Sequence, residues 1–414
     1  MVNIIPKLAR FSALMVVVLV FSMVVPDVFT KATSSKVRPP TIYYSAPLER
    51  FVMQQGKEYH DEYGAIMGQR EFRRALPFIF HSDLVKWGEF PSLVNGVAVT
   101  PALASKQLQF MRVTPRDINV PHFDMHMLLE SNPDGANLEY APDMFLLGNG
   151  IEFRNCEDNS VNVKKSEAFT KVVLDVGFQF PARLAGGNPD VRKAFDWGYF
   201  LIDSTNTLFH LMMVNGEPMC INTGNTFTDA VRYIAVAEHN RHEFYGAVAT
   251  DKDVFLISCD KYNLIKLPLL DYNPDVDSIS ILTTPLNRIV QQRTKGEIFA
   301  TAMNVDWEPV ALMEQQVDKS VLDSREKAAA LLFPFKIETG SSLSKFKLFN
   351  IQFPQKYLTW TLSGIFLSLI GCWLYTRLRF RMNPKWYELA FLIPTGLYGL
   401  IALIFVGGWG YRRK

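Results

Sequence analysis

The chain is poor in cysteine, with only Cys156, Cys220, Cys259 and Cys372 among 414 residues. No two share a CxxC-type spacing, which argues against a zinc site or a redox dithiol. Cys372 lies inside an apolar run, so the other three can form one disulfide at most, and the redox compartment stays open. Charge imbalance is also small. A net charge of +2 gives no global field that would recruit nucleic acid or another polyanion. GxSxG, P-loop, GxGxxG and HExxH motifs are all missing. Gly186-Gly187-Asn188-Pro189 and Asn132-Pro133-Asp134-Gly135 read as turn clusters, because no helical pattern follows to make a phosphate cradle. The expectation is therefore no catalytic residue, no cofactor and no nucleic-acid partner.

What the sequence does have is long apolar runs. Tyr357 to Tyr375 is an uncharged stretch of 19 residues with Trp360, Trp373 and Tyr375 near its ends. At about 1.5 Å per residue such a run just spans a hydrocarbon core of roughly 30 Å, and the rings suit its boundary. A second uncharged run extends from Leu389 to Trp409, with Pro394 one turn inside. Near the N-terminus, Lys7 and Arg10 precede an apolar stretch from Phe11 to Val25 that only Ser12 and Ser22 interrupt. No small-x-small cleavage motif follows, which favours a signal anchor over a cleaved signal. The expected organisation is an anchor at 1–27, a β-rich domain at 28–350, a transmembrane helix at 357–376, a basic loop at 377–386 and a last transmembrane helix at 387–411. Arg377, Arg379, Arg381 and Lys385 make that short loop strongly basic, so it is expected in the cytoplasm. With three spans, the large domain then lies outside it, periplasmic on a multi-pass inner-membrane protein. The tail Arg412-Arg413-Lys414 and the lysines Lys345, Lys347 and Lys356 argue the other way.

Between the anchors there is much alternation and little helical periodicity. Aromatic content is high at 13%, with 31 Phe and 15 Tyr, which favours strands. The runs Trp197 to Asp203 and Thr207 to Val214 end at Asn215-Gly216, a hairpin signal because both residues accept positive φ. Phe209, Phe255 and Phe299 each follow a polar turn and open a strand, at spacings of 46 and 44 residues. Tyr63-Gly64-Ala65-Ile66 echoes Tyr245-Gly246-Ala247-Val248, with Phe72 in the later equivalent place. Weaker anchors at Phe110, Phe153 and Phe346 extend the register to about seven units. A period of about 40–50 residues is that of four-stranded propeller blades. The expected fold class is mainly β and propeller-like, with an irregular β-sandwich as the alternative. The best helical pieces lie near Glu49 to Tyr59 and Ser324 to Leu331.

Few residues hint at chemistry. His122, Asp124 and His126 alternate on one strand and could converge on a metal. Spread over about 13 Å, they suit a single tetrahedral ion only with a bend, and a solvated strand face explains them equally. His239 and His242 have a His-x-x-His spacing, but flanking strands make that segment a polar hairpin loop. Asp275 and Asp277 sit in a loop rich in Asn and Pro, where calcium binding competes with plain solvation.

The stretch Leu138 to Thr223 carries a family likeness, through Asp143-Met144-Phe145, Ile151-Glu152-Phe153, Lys165-Ser166 with Phe169, and Gly177-Phe178-Gln179-Phe180-Pro181. It continues through Gly187-Asn188-Pro189, Lys193 to Phe200, Asp203 and Leu208-Phe209-His210, then Leu264 to Leu269 and the paired C-terminal helices. Together these resemble a bacterial membrane protein family, domain of unknown function 4857, often encoded beside ATP-binding-cassette (ABC) transporter components. The resemblance assigns no catalytic residue and implies a transport-associated role. Three readings follow. The first is a non-enzymatic accessory subunit whose partners are the lipid bilayer and ABC transporter permease or ATP-binding subunits. The second is a membrane-anchored ligand-binding or sensor protein, with Trp87, Trp197 and Trp307 as candidate lining. The third is a metal-dependent hydrolase built on His122, Asp124 and His126.

Overall fold

The computed structural model describes residues 5–33, 39–119, 124–317, 319–339 and 349–406. They fall into two compact units, residues 39–317, and residues 1–38 together with 318–414. The first helix, α1 (Ile5–Thr33), belongs to the second of these. Of the described residues, 32% are helical and 31% lie in strands. The fold is therefore mixed rather than mainly β.

The 39–317 unit is organised as layers of antiparallel sheet. The first sheet contains β1 (Thr41–Ser45), β2 (Arg50–Gln55) and β3 (Glu58–Asp61). Short helices α2 (Gln69–Arg74) and α3 (His81–Trp87) follow, then a small hairpin of β4 (Leu93–Val94) and β5 (Val97–Ala98), then α4 (Pro101–Gln107). Strand β6 (Gln109–Val113) and helix α5 (Pro115–Ile118) come next. A second three-stranded sheet contains β7 (Met125–His126), β8 (Asp143–Leu147) and β9 (Ile151–Asn155), and α6 (Val163–Asp175) packs on it. Asn162 starts α6 by accepting a hydrogen bond from the Lys165 N–H at 3.1 Å.

Three four-stranded meanders complete the unit. They are β10 (Leu184–Gly187) to β13 (Glu217–Thr226), through β11 (Tyr199–Ile202) and β12 (Thr207–Val214). The second is β14 (Val231–Val236) to β17 (Leu264–Lys266), through β15 (Phe244–Thr250) and β16 (Val254–Ser258). The third is β18 (Ser278–Thr283) to β21 (Pro309–Gln316), through β19 (Arg288–Arg293) and β20 (Glu297–Met303), with β6 added beside β18. Phe209, Phe255 and Phe299 occupy the third strand of each meander, so that part of the expected repeat is real. The remaining anchors do not mark blades. Phe72 is buried in helix α2, Phe110 sits on the added strand β6, and Phe153 lies in a three-stranded sheet. Phe346 lies outside the described residues. The described strands close into neither a propeller nor a barrel.

Side chains alternate between neighbouring layers. Tyr199 and Leu201 of β11 pack with Phe145 and Phe153 on one side, while Phe200 and Ile202 pack with Ile234 and Val248 on the other. Phe244, Ala247 and Ala249 then meet Ile279 and Ile281 of the third meander. Ile298, Ala300 and Ala302 meet Ile42 and Phe51 of the first sheet. Sheets covered on both faces read as continuous apolar runs, which explains why alternation is weak in the middle strands.

Several local expectations meet their physical limits here. Asn215-Gly216 does turn β12 into β13 with φ of 54° and 78°. Glu49 to Tyr59 forms strands rather than a helix, whereas Ser324 to Leu331 lies within helix α7 (Lys319–Leu332). Gly186 and Gly187 end strand β10 rather than forming a turn. A Cβ on Gly186 would stand 2.4 Å from Cβ of Ile234, so this glycine permits β10 to approach β14. The Tyr63-Gly64 echo of Tyr245-Gly246 is not structural, since the former is a turn and the latter lies in β15.

The other unit contains α1, α7, a hairpin of β22 (Lys336–Thr339) and β23 (Phe349–Gln352), α8 (Leu358–Phe380) and α9 (Trp386–Val406). Leu14 and Val18 of α1, Cys372 of α8 and Leu392, Tyr398 and Ala402 of α9 share one core with Phe333. Helix α8 buries Thr361, Gly364, Ser368, Cys372 and Thr376 on one face. A Cβ on Gly364 would come within 1.8 Å of the Leu331 carbonyl oxygen, so the absent side chain is what lets α8 rest on α7. Pro394 and the non-helical Gly396 interrupt α9. Three helices, Leu8–Thr33, Gln355–Phe380 and Trp386–Val406, are long and apolar enough to cross a bilayer. The chain is a membrane protein.

Replacing Gly186 with alanine is expected to lower stability by about 1–3 kcal/mol, because overpacking forces two backbones apart. Gly216→Ala meets no atom within 4 Å and should cost only about 1 kcal/mol, through its positive φ. Denaturant midpoints of the two variants, measured side by side, check the ordering.

Candidate functional site

The loop joining the first two strands of each meander is where polar groups gather. These loops are residues 188–198, 237–243 and 284–287. The middle one carries a carboxylate at each end, and each reaches a neighbouring meander. Lys193 donates to Glu238, to Asp196 and to the Asn188 carbonyl oxygen, with only 8%, 3% and 1% of the Lys193, Asp196 and Glu238 side chains exposed. Asn188 Nδ2 adds a 2.8 Å bond to Glu238, and the Gly198 N–H donates to Asp196 at 2.8 Å. Burial raises the Asp196 pKa above the usual carboxylate range, while Lys193 opposes that shift.

At the other end, Glu243 accepts from Arg241 and, at 2.8 Å, from Arg288. Arg288 also donates to the Thr284 carbonyl at 3.2 Å and stands 5.8 Å from the centre of the Trp307 ring. Arg241 reaches the Gln107 carbonyl at 3.0 Å. Burial draws the Arg288 pKa down and Glu243 resists it. One hairpin thus holds two buried sets of opposite imbalance, two carboxylates around one ammonium and two guanidiniums around one carboxylate. Buried charge survives only when paired in this way.

Between the first two meanders lies an aromatic group centred on His210. Its ring stacks on Phe200 at 4.2 Å and 7°. Nε2 faces the Trp197 carbonyl oxygen and Nδ1 lies 2.9 Å from the Tyr262 hydroxyl. A carbonyl can only accept, so Nε2 carries the proton and Nδ1 accepts from tyrosine. Burial lowers the His210 pKa to about 4, which keeps the ring neutral. The thiols are equally quiet. Burial pushes Cys220 up to about 12 and Cys259 up to about 11, so both are protonated at neutral pH. Cys156 is exposed, and all four cysteines are free.

His122 lies outside the described residues. Asp124 is exposed, and His126 packs its ring 5.0 Å from Phe145 and 5.4 Å from Tyr199. Among the described residues no group of three or more His, Cys, Asp or Glu side chains could hold a metal ion. His239 Nδ1 accepts from the Arg241 N–H at 3.2 Å, and His242 stacks on Phe195 at 4.9 Å, so that loop is packed into its surroundings rather than open to an ion. Asp277 accepts from the Asn273 N–H at 3.0 Å and from Gln292 at 2.9 Å, while Asp275 meets Arg232 at 3.3 Å. The tryptophans are dispersed. Trp87 lies under Arg70 and Arg73, Trp197 beside Phe195 and Tyr245, and Trp307 beside Arg288. A cavity of about 510 Å³ near β10 is lined by His126, Tyr199, Tyr233, Met125, Met127 and Met144, among others. Arg377, Arg379 and Arg381 are exposed around the end of α8, and Lys385 is half-buried before α9.

Sequence reasoning gave no role to Lys193, Glu238, Glu243 or Arg288. The available signal was the spacing of charged residues at both ends of a hairpin loop otherwise read as solvated.

Residues 41–303 match a family model described as Domain of unknown function (DUF4857). The match covers more than half of the chain, which therefore belongs to that family. It covers most of the layered unit and stops short of α7, α8 and α9. No curated protein matches the chain.

Because His210 binds a proton more weakly when buried than when unfolded, its contribution to stability is complete above pH 6.5 and is lost as pH falls towards 4. At about 1.4 kcal/mol per pH unit this amounts to about 3 kcal/mol. His210→Phe is expected to be less stable at pH 7 yet to lose that pH dependence, as read from unfolding midpoints between pH 7 and pH 4.

Proposed function

We propose that this DUF4857 member is a non-enzymatic accessory subunit of an ABC-type transport assembly, held in the membrane by three helices. The observation that carries this reading is the inside-out chemistry of helix α8. Helix α8 turns Thr361, Ser368 and Thr376 inward, where Ser368 and Thr376 bond to carbonyls one turn back at 2.8 and 2.9 Å. Its outward face presents Leu362, Phe366, Leu367, Trp373 and Leu374. Such an arrangement is stable where the surroundings are themselves apolar, whether lipid or the helices of a permease. The basic turn with Arg377, Arg379, Arg381 and Lys385 supports a cytoplasmic position for that loop and a multi-pass topology. The layered domain is then extracytoplasmic, periplasmic if the membrane is an inner one.

A second reading, a membrane-anchored ligand-binding or sensor protein, draws support from the cavity beside His126. Its thioether and ring lining suits a small molecule with apolar surface.

Solubilisation in mild detergent at native expression is expected to co-purify permease or ATP-binding subunits. Recovery of the chain alone, with the transporter intact in the same extract, would overturn the accessory-subunit reading. Sidedness has its own measurement. A membrane-impermeant maleimide added to intact spheroplasts should label the exposed Cys156, and the signal should disappear in Cys156→Ser. Labelling only after permeabilisation would place the domain in the cytoplasm.

A further inference from the structure

A different cavity, of about 360 Å³, lies against the third meander and the edge of β1. Three adjacent strands build its floor. Strand β18 runs in the middle, with β6 on one side and β19 on the other. Ser280 stands opposite Arg112 on β6 and opposite Gln291 on β19, and Ser278 stands opposite Arg293. The alternate residues Met111, Val113, Ile279, Ile281 and Val290 turn into the core on the other face. Strand alternation therefore brings two guanidiniums and two hydroxyls to one surface. With strands about 4.8 Å apart, the two arginines flank the serine pair from backbones about 10 Å apart.

These arginines differ from the others clustered in this unit. Arg241 and Arg288 share Glu243, and Arg232 has Asp251 and Asp275. Among the described residues, neither Arg112 nor Arg293 meets a carboxylate or donates a hydrogen bond. No acidic side chain among the described residues lines the cavity. Arg293 is half-buried, and burial, followed by the nearby Arg112 charge, pulls its pKa down. Arg112 is itself exposed, so water screens the pair, and an anion seated between the two guanidiniums would remove the repulsion that remains. Gln291 is committed elsewhere, donating to the Ile42 carbonyl at 2.8 Å, and so fixes β1 along the cavity. Thr41 and Tyr43 of β1 add hydroxyls to the rim, and Phe110, 62% exposed, adds an apolar surface.

We propose that this recess binds a phosphate monoester, its phosphate clamped by Arg112 and Arg293 over Ser278 and Ser280, with an apolar or ring substituent against Phe110. A carboxylate has only two oxygens, held in one plane. A phosphate dianion offers three, enough for two guanidiniums and a hydroxyl. The binding role assigned here is independent of the transport reading, because it rests on the 39–317 unit alone.

The test is calorimetric titration of the full chain in detergent with inorganic phosphate, phenyl phosphate, benzoate and monomeric dihexanoyl phosphatidic acid. Saturable binding of phenyl phosphate, at least tenfold tighter than benzoate, is the expected result, with inorganic phosphate weaker for want of the ring. Arg112→Gln and Arg293→Gln should each weaken it by at least about tenfold, and Arg112→Lys by less. Arg192→Gln, which alters an exposed arginine paired with Asp190, should leave it unchanged. Saturation by the phosphatidic acid alone, with the same arginine dependence, would assign the phosphate to a lipid headgroup rather than a soluble ester. No saturable binding of any phosphate, benzoate binding as tight as phenyl phosphate, or affinities within twofold of wild type in both glutamine variants would overturn the proposal. Unchanged circular dichroism in each variant separates lost binding from lost fold.

Discussion

The layered unit depends on one constraint, that its first two meanders are covered on both faces. A sheet with a single buried face can leave polar side chains to water, but a strand between two layers has nowhere to send them. Strand β11 shows the result, since all four of its residues, Tyr199 to Ile202, are buried and alternate between two different cores. Glycine enters for the same reason. Gly186 stands where β10 and β14 approach more closely than any side chain would allow. Polar groups are displaced to the strand ends, and there the charged side chains collect.

Those ends are joined as well as separated by charge. The hairpin from Glu238 to Glu243 holds Lys193 of the β10–β11 loop at one end and Arg288 of β19 at the other. Exposed ion pairs contribute little, whereas a buried pair is costly to break because the remaining partner loses its compensation. Such pairs tie neighbouring meanders together at their loop ends. Neutral His210, bonded at both nitrogens, performs a similar task deeper in the same interface. Among the described residues Arg112 and Arg293 stand apart from this pattern, since neither meets a carboxylate in the recess they share.

Helix α8 obeys the opposite rule. Its Thr361, Gly364, Ser368 and Thr376 face inward, and Leu362, Phe366, Leu367 and Trp373 face outward. Without water there is no gain from hiding apolar surface, so close approach of small residues and hydrogen bonding within the group decide the packing. Gly364 against Leu331 and Tyr398 bonded to the Phe335 carbonyl at 2.9 Å are the two clearest instances.

By itself, the sequence determined the apolar helices, the hairpin at Asn215-Gly216 and the recurrence of Phe209, Phe255 and Phe299. Each of these is a local property, namely the length of an uncharged run, tolerance of positive φ, or the position of a ring within a strand. It also suggested more repeats than exist, because a phenylalanine looks the same in α2, β6 or β9 as in a blade. Small helices such as α2 and α6 escaped notice, since helices of 6 and 13 residues carry few periods to detect. Only the tertiary structure decided that the stack stays open and that Lys193 finds Glu238. It likewise decided that His126 turns to Phe145 and Tyr199, and that Arg112 and Arg293 share one recess. Those outcomes depend on which strands become neighbours across long stretches of chain, as Gln109 of β6 and Thr283 of β18 do across 174 residues. Partner choice at that distance is set by the fit of whole sheet faces, which no local pattern of residues encodes.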